Sequence, residues 1–331
     1  MHANSRSLSQ LTRRSALGLL GAGAAALALP SATRAAGVRL ALYGPPAGPT
    51  VTLAYAVANQ MLAEVADDVT LTVWRNPDEL RAGLTSGAID LSVVPAQAAA
   101  NLYNRGMGLR LVNVMTNGLL YIMAPEGGPS SLAALAGQRI AVPFVNDTPD
   151  LILRALLEHH KLQMELVPAG NPTEAAQMLL AGRVAAALLS EPVATVVQIR
   201  GGEAGKPMAR AVDIQREWGG ITGLGPVVPQ AGLAVTRGFT ERHGDRLPQL
   251  QAAMVAATAK VLADPAAGAK AAAGPLEQPA PMLARSIPHC NLTATPASET
   301  RPALEAMFQL MAKADPALLG GKLPDDGFYA L

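Results

Sequence analysis

The chain has 331 residues, too many for one ordinary domain, and half of them are apolar, so two sizeable cores can be buried. Only 15% are charged and the formal net charge is +1. This excludes nucleic acid as the partner, because no basic surplus is available to neutralise phosphates. Cys290 is the single cysteine, so an intrachain disulfide is excluded as well.

The first 35 residues are predicted to be a cleaved export signal rather than part of the fold. Arg13 and Arg14 form a basic start, the 14 residues from Ala16 to Leu29 form an apolar run, and small residues lead to Ala35. The run is shorter than the roughly 18 residues of a membrane span. The arginine pair is typical of twin-arginine translocation, and a general secretory signal would lead to the same compartment. No cysteine lies directly after the run, so we expect a periplasmic protein without a lipid anchor.

The first elements after the leader are predicted to be a strand, a turn and a helix. The apolar run 38–43 indicates the strand, and "GPPAGPT" (44–50) indicates a turn before a helix. Free backbone amides near Thr50, with Pro45 in the turn, would suit an anion; a tight turn without a ligand is the alternative. A second strand is predicted over 69–74. Trp74, at its end, could form a wall of a cleft or pack into the core.

A unit of 22 residues occurs twice. "NPDELRAGLTSGAIDLSVVPAQ" (76–97) aligns without a gap with "NPTEAAQMLLAGRVAAALLSEP" (171–192). Asn76 and Asn171 are good N-caps, a proline suits the first helical position, and a glutamate completes a capping box. A glycine can then end the helix, and a buried strand and a second helix follow. Each copy is predicted to be an α-β-α segment of a doubly wound sheet, in which ligands lie outside the carboxyl ends of the strands.

The loops that end the two repeated strands are predicted to face each other across a cleft. One contains Pro95, Ala96 and Gln97, whose side-chain amide could bind a solute. The other contains Ser190, whose hydroxyl could do the same, and Glu191. Glu191 has two interpretations. Its charge could stabilise a helix N-terminus by roughly 0.3–1 kcal/mol, or it could accept a hydrogen bond from an amine or ring N–H, which would disfavour a bare anion.

Further candidate contacts lie between the two copies. Segments 109–115 and 119–125 predict strands around "TNG", where Asn117 could point into the cleft and Gly118 could serve as a hinge. Segment "FVNDT" forms the equivalent loop of the second half, and these of its members could bind a polar solute: Phe144, Asn146, Asp147 and Thr148. For Thr148, capping the next helix is the favoured role.

The rest of the chain is predicted to hold one more strand and then mainly helices. Trp218 is predicted in a loop and could line the cleft or pack into the core. Segment 227–236 is strand-like, and the residues from 239 onwards are helical in character. An Ala-, Pro- and Gly-rich stretch over 265–281 is predicted to break two helices.

The order of elements predicts two α/β lobes, with 36–118 and 232–331 in the first and 119–231 in the second. Four segments carry a resemblance to a known family, together with the leader: "SGAIDLSVVP", "SSLAALAGQRIAVP", "LLAGRVAAALLSEPVA" and the terminal "LPDDGFYA". With these segments the chain resembles the periplasmic solute-binding proteins of ABC importers. The nearest group comprises the nitrate, sulfonate, taurine and thiamine-pyrimidine-precursor binding proteins. The resemblance covers almost all of the chain after the leader. It implies two doubly wound α/β lobes of the type II periplasmic binding fold, joined by a two-stranded hinge.

The resemblance also implies a function: a monomer without cofactors closes on a small polar solute and presents it to an ABC importer permease in the inner membrane. The solute would be sulfonate, nitrate, taurine-like or pyrimidine-like. One alternative is an enzyme on the same fold, of the pyrimidine-synthesis or sulfinate-cleaving type; another is a sensor subunit that hands its ligand to a membrane receptor. Catalytic residues are sparse, since the histidines lack metal-ligand spacing and Cys290 is expected to be structural.

Overall fold

The structure, a computed structural model, describes residues 37–75 and 77–331. The predicted leader and the predicted N-cap Asn76 lie outside the described residues. The strands are β1 (Arg39–Gly44), β2 (Asp68–Val73), β3 (Leu91–Pro95), β4 (Arg110–Thr116), β5 (Leu120–Pro125), β6 (Arg139–Pro143), β7 (Glu165–Ala169), β8 (Ala186–Ser190), β9 (Met208–Asp213), β10 (Ala231–Val235) and β11 (Leu292–Pro296). The helices are α1 (Gly48–Ala58), α2 (Pro77–Ser86), α3 (Ala96–Leu102), α4 (Thr148–His160), α5 (Pro172–Leu180), α6 (Val193–Glu203), α7 (Ile214–Thr222), α8 (Arg237–His243), α9 (Leu247–Ala263), α10 (Pro265–Leu276), α11 (Ala280–Ser286) and α12 (Arg301–Ala314). In this part of the chain, no helix combines the length and the apolar character needed to cross a membrane.

The strands form two separate sheets. The first sheet has the order β11-β4-β10-β3-β1-β2, and the second has the order β7-β6-β8-β5-β9. In each sheet three neighbouring strands are parallel, β3-β1-β2 in the first and β8-β6-β7 in the second. The other pairs are antiparallel. The prediction of two α/β lobes is confirmed.

The repeated unit occupies equivalent places in the two sheets, as α2-β3-α3 in the first and α5-β8-α6 in the second. In the second copy, Asn171 Oδ1 accepts a hydrogen bond from the amide of Glu174 at 2.9 Å, and Glu174 Oε2 accepts one from the amide of Gly170 at 2.7 Å. In the first copy, Glu79 Oε2 accepts one from the amide of Arg75 at 2.8 Å. The glutamates therefore reach back as predicted, but to the residue before the asparagine.

The chain crosses from the first sheet to the second after β4 and returns before β10. At the first crossing, the amide of Asn117 donates to Asn291 O at 2.9 Å, and Asn117 O accepts from the amide of Val228 in the returning segment at 2.9 Å. The two crossing segments are thus bonded to each other and to the first lobe.

A buried glutamine completes the first crossing on the side of the second sheet. Gln215, on α7, is 1% exposed and bonds both the amide and the carbonyl of Leu120 at 3.0 Å. It packs directly on Gly118, where φ is +111° and a Cβ would come within 2.7 Å of Gln215 Oε1. Only glycine fits this conformation and this contact without strain.

Two predictions for the C-terminal third are wrong. The stretch 265–281 contains α10, because alanines favour helix, Pro265 suits its first position and Asp264 caps it through the amide of Ala267 at 3.0 Å. Strand β11 has no counterpart in the prediction, because it is a five-residue edge strand that pairs only with β4 among the described strands.

Gln251 ties α9 to the first sheet. Its Oε1 accepts a hydrogen bond from Asn113 Nδ2 on β4 at 2.6 Å, and its Nε2 donates to Ala294 O on β11 at 2.6 Å. Asn113 is fully buried and also accepts from the amide of Leu233 on β10. One amide side chain therefore satisfies polar groups of two strands inside the core.

We expect Gln251→Ala to lower the free energy of unfolding by about 1–3 kcal/mol, because it leaves buried polar groups without partners. Gln249→Ala, at an exposed position of the same helix, should change it by less than about 0.5 kcal/mol. Urea denaturation followed by circular dichroism measures both. Equal losses in the two variants would contradict the role assigned to Gln251.

Candidate ligand-binding site

The carboxyl ends of β1, β2, β3, β6 and β8 surround a cavity of about 200 Å³ between the two sheets. Residues of the first lobe and of the returning segment line one side: Pro45, Ala47, Pro49, Trp74, Pro95, Gln230 and Ala231. Residues of the second half line the other: Leu119, Leu120, Pro143, Phe144, Asp147, Thr148, Pro149, Pro172 and Ser190. Seven of the residues singled out from the sequence are brought together here: Pro45, Trp74, Pro95, Phe144, Asp147, Thr148 and Ser190.

Trp74 follows β2 and is fixed from both of its N–H groups. Its Nε1 donates to Ser92 Oγ at 3.1 Å, and its amide donates to Gly44 O at 3.0 Å. Because both donors are bound within the first sheet, the half-buried indole offers the cavity apolar ring surface.

Helix α4 begins at the cavity wall with a carboxylate and a hydroxyl. Asp147 is the N-cap, and its Oδ1 accepts a hydrogen bond from the amide of Thr148 at 2.6 Å. The prediction that Thr148 caps this helix is therefore wrong, since the neighbouring carboxylate is the cap. The Thr148 side chain is 2% exposed, and its Oγ1 has no hydrogen-bond partner among the described residues.

The loop before α4 places an aromatic ring at the rim of the cavity. Phe144 has a φ of +54° and is 44% exposed although it lines the cavity. Asn146 is also left-handed, with a φ of +65°, and its amide donates to Asp150 Oδ2 at 2.8 Å. Asn146 is exposed and lies outside the cavity lining.

Thr50, Ala96 and Gln97 also lie outside the lining, and each donates a hydrogen bond to a backbone carbonyl. Thr50 is fully buried, its Oγ1 donates to Pro45 O at 2.6 Å, and its amide donates to Ala47 O at 3.0 Å. The predicted free amide at Thr50 is therefore wrong. The amide of the fully buried Ala96 donates to Gln230 O at 3.0 Å. Gln97 Nε2 donates to a backbone carbonyl, that of residue 318.

Asn117 and Trp218 hold the scaffold together away from the cavity lining. The backbone of Asn117 bridges the crossing segments, as described above. Trp218 is 1% exposed within α7, so the prediction of a loop there is wrong. The glycine that follows does not end the helix. It allows close approach instead, since a Cβ at Gly219 would lie 2.4 Å from Gly225 O.

Glu191 is fully buried and its carboxylate is occupied by protein groups. Its Oε1 accepts from Arg210 Nε at 2.8 Å and Nη2 at 2.5 Å, and its Oε2 accepts from the hydroxyl and the amide of Thr195 at 2.7 and 3.2 Å. The Arg210 guanidinium also lies 5.4 Å from the centre of the Tyr121 ring. Of the two interpretations of Glu191, stabilisation of the start of α6 agrees with these contacts.

Sequence reasoning missed Gln230 and four of the prolines in the lining: Pro49, Pro143, Pro149 and Pro172. Pro49, Pro149 and Pro172 occupy the first or second position of α1, α4 and α5. Proline is common at these positions because its fixed φ suits the first turn of a helix. The sequence therefore offered a local signal for the helix starts. Their convergence on one cavity depends on the arrangement of two sheets, which no local signal encodes.

The sequence's one thiol and a neighbouring histidine lie where the first lobe meets β5. Cys290 is fully buried, and burial raises the pKa of its thiol far above the usual range. Partial burial, and next the charge of Arg210, lower the pKa of His289. The carbonyl of His289 accepts from the Tyr121 hydroxyl at 2.9 Å. Across residues 37–75 and 77–331, no group of three or more His, Cys, Asp or Glu side chains could hold a metal ion.

A family model described as menaquinone biosynthesis matches residues 54–313. The chain belongs to this menaquinone-biosynthesis family. The motifs in the sequence predicted the fold group but not this membership. Among curated protein sequences, none matches this member of the family.

Solved structures of binding proteins share the fold of this menaquinone-biosynthesis family member. An ABC transporter protein of Parabacteroides distasonis has 25% identity and a TM-score of 0.72, covering 88% of this chain and 97% of its own. The periplasmic aliphatic sulphonate binding protein SsuA of Escherichia coli has 17% identity and a TM-score of 0.68, with coverages of 88% and 91%. The periplasmic nitrate-binding protein NrtA of Synechocystis PCC 6803 has 12% identity and a TM-score of 0.57, with coverages of 75% and 70%. The resemblance to periplasmic binding proteins of ABC importers is confirmed.

In this menaquinone-biosynthesis family member, we expect Arg210→Met to lower the free energy of unfolding by about 3–5 kcal/mol, because it leaves the buried Glu191 carboxylate unpaired. Adding Glu191→Gln should recover part of the loss by removing the charge. Arg216→Met, at an exposed position, serves as the control. Urea denaturation of the three variants measures the effect, and a loss in Arg210→Met no larger than in the control would refute the pairing.

Proposed function

We propose that the protein is the substrate-binding component of an ABC importer, capturing a small polar solute between two lobes. The observation that carries this proposal is the cavity between the sheets, lined from both sides at the carboxyl ends of five strands. Ligands of open α/β sheets bind at such strand ends. A solute that contacts both sides stabilises the arrangement in which the two sides are close.

In the proposed protein, residues 36–118 and 232–331 form one lobe and residues 119–231 form the other. The crossings at Asn117–Gly118 and before Ala231 act as the hinge. Of the residues singled out from the sequence, the seven that line the cavity are the proposed ligand contacts. The protein is proposed to act as a monomer, after export to the periplasm by the twin-arginine route, and to deliver its solute to a permease.

The family match favours a second candidate, an enzyme of menaquinone biosynthesis on the same fold. The cavity lining offers such an enzyme Asp147 as its one ionisable side chain among the described residues. Mass spectrometry of ligand recovered after prolonged incubation separates the candidates. A binding protein returns its solute unchanged, whereas an enzyme releases a product.

Calorimetry and small-angle X-ray scattering test the first candidate together. We expect a solute that binds to the chain from residue 36 onwards to decrease the radius of gyration, because contacts from both lobes favour closure. Binding with an unchanged radius of gyration would contradict the proposed mechanism.

Tryptophan fluorescence tests the location of the site, since the chain has two tryptophans. We expect a ligand-induced change in emission to persist in Trp218→Phe and to be lost in Trp74→Phe, because Trp74 lines the cavity and Trp218 does not. Calorimetry in both variants establishes that the ligand still binds. A signal that follows Trp218 instead would place the ligand elsewhere.

A further inference from the structure

The charges around the cavity disfavour an anionic ligand. Asp147 is the one ionisable side chain among the described residues of the lining. Arg75, next to Trp74 in sequence, pairs with Glu277 at 2.7 Å, and Arg210 pairs with Glu191 at 2.5 Å. An anion would therefore meet a carboxylate, without a cationic side chain from the described lining to offset it.

The helix N-termini at the wall offer an anion few hydrogen-bond donors. In each of α1, α4 and α5, a proline without an N–H occupies the first or second position: Pro49, Pro149 and Pro172. Two further amides are already bound within the protein, that of Thr50 by Ala47 O at 3.0 Å and that of Thr148 by Asp147 Oδ1 at 2.6 Å.

The same helices disfavour a cationic ligand for a different reason. The N-terminal end of a helix carries partial positive charge, and α1, α4 and α5 all begin in the cavity lining. Asp147 already faces one of these ends as the cap of α4. A cation would face the remaining positive ends, so the site matches an uncharged molecule.

Two residues of the lining carry a buried side-chain polar atom without a partner among the described residues: Oγ1 of Thr148 and Oε1 of Gln230. The Thr148 side chain is 2% exposed. A buried polar group without a partner is costly, so these atoms are suited to groups of a ligand. An amide oxygen accepts hydrogen bonds and a hydroxyl can accept as well as donate, which favours a ligand with N–H or O–H donors.

Aromatic and proline side chains supply most of the remaining wall. Trp74 follows a strand of the first sheet and Phe144 follows a strand of the second. Phe144 is held exposed at the rim in a left-handed conformation, a strain typical of sites where a ligand is clamped. Flat apolar surfaces from both sheets suit a ring.

We propose that the cavity selects an uncharged ring compound that carries N–H or O–H donors. The ring lies against Trp74 and Phe144, and the donors reach Gln230 Oε1 and the Thr148 hydroxyl. This inference rests on the proposed solute-binding function. The proposed ligand class differs from those in the names of two proteins with this fold, which are sulphonate and nitrate.

Three planar probes of nearly the same shape test the charge of the ligand. Benzamide is neutral at pH 7, benzoate is an anion and benzamidinium is a cation; benzenesulfonate and nitrate represent the ligand classes of the related folds. By calorimetry and ligand-observed NMR, we expect benzamide to bind at least about 10-fold more tightly than each charged probe, a difference of about 1.4 kcal/mol. A charged probe that binds as tightly as benzamide, or no binding of benzamide at millimolar concentration, would overturn the proposal.

A pair of matched variants tests the unpartnered hydroxyl. Thr148→Val removes it without changing the shape of the side chain, and we expect the dissociation constant for benzamide to rise about 3- to 10-fold. Thr258→Val is the control: Thr258 Oγ1, on α9, is also buried without a described partner but lies outside the cavity lining. The melting temperature of both free proteins should be unchanged or raised. Equal affinity in the two variants would refute the contact.

The outcomes separate this inference from the proposed function. If nitrate or benzenesulfonate binds and decreases the radius of gyration, the solute-binding function stands and the inference fails. If benzamide binds selectively and the radius of gyration is unchanged, the inference stands and the closure mechanism fails. Asp147→Asn adds a check on charge, since it should strengthen benzoate binding more than benzamide binding.

Discussion

Two crossings between the sheets impose the constraint on which the cavity depends. The backbone there belongs to neither sheet, and where it is buried, as at Gly118 and Val228, its polar groups must be bonded. Asn117, Asn291 and Val228 satisfy them within and between the crossings, and Gln215 satisfies Leu120 from α7. Because these bonds fix where β5 and β10 begin, the strand ends that form the two cavity walls pivot about a defined pair of crossings.

The helix starts give the cavity its chemical character through residues chosen for local geometry. Proline in the first turn favours a helix start, and it also removes an N–H that would otherwise face the cavity. Asp147 caps α4 and at the same time places a negative charge in the wall. Helix N-termini usually bind anions. Here the same residues that stabilise the helices reduce that affinity.

Features that depend on neighbouring residues could be predicted from the sequence. The cap at Asn171 and the place of Trp74 at a strand end follow from patterns a few residues long. The ion pair of Glu191 could not be predicted, because its partner Arg210 follows 19 residues later on another strand. The glycine after Trp218 is typical of a loop, so the sequence predicted one there. In the structure, Gly219 lies within a helix and allows a close contact between two backbone segments. Adjacent Asp147 and Thr148 are both good caps, and only the folded backbone selects between them.

The burial of Cys290 makes the protein suitable for testing the proposed lobe movement by site-directed labelling. Its side chain has no exposed surface, and a Cβ added at Gly48 would come within 2.5 Å of its Sγ, so the thiol is enclosed by α1. Burial also keeps it protonated, and the protonated thiol is a poor nucleophile. A pair of cysteines introduced at exposed positions, one on each lobe, would be modified selectively with the native residue still in place. Distances between spin labels or fluorophores at such pairs would then follow opening and closing in solution.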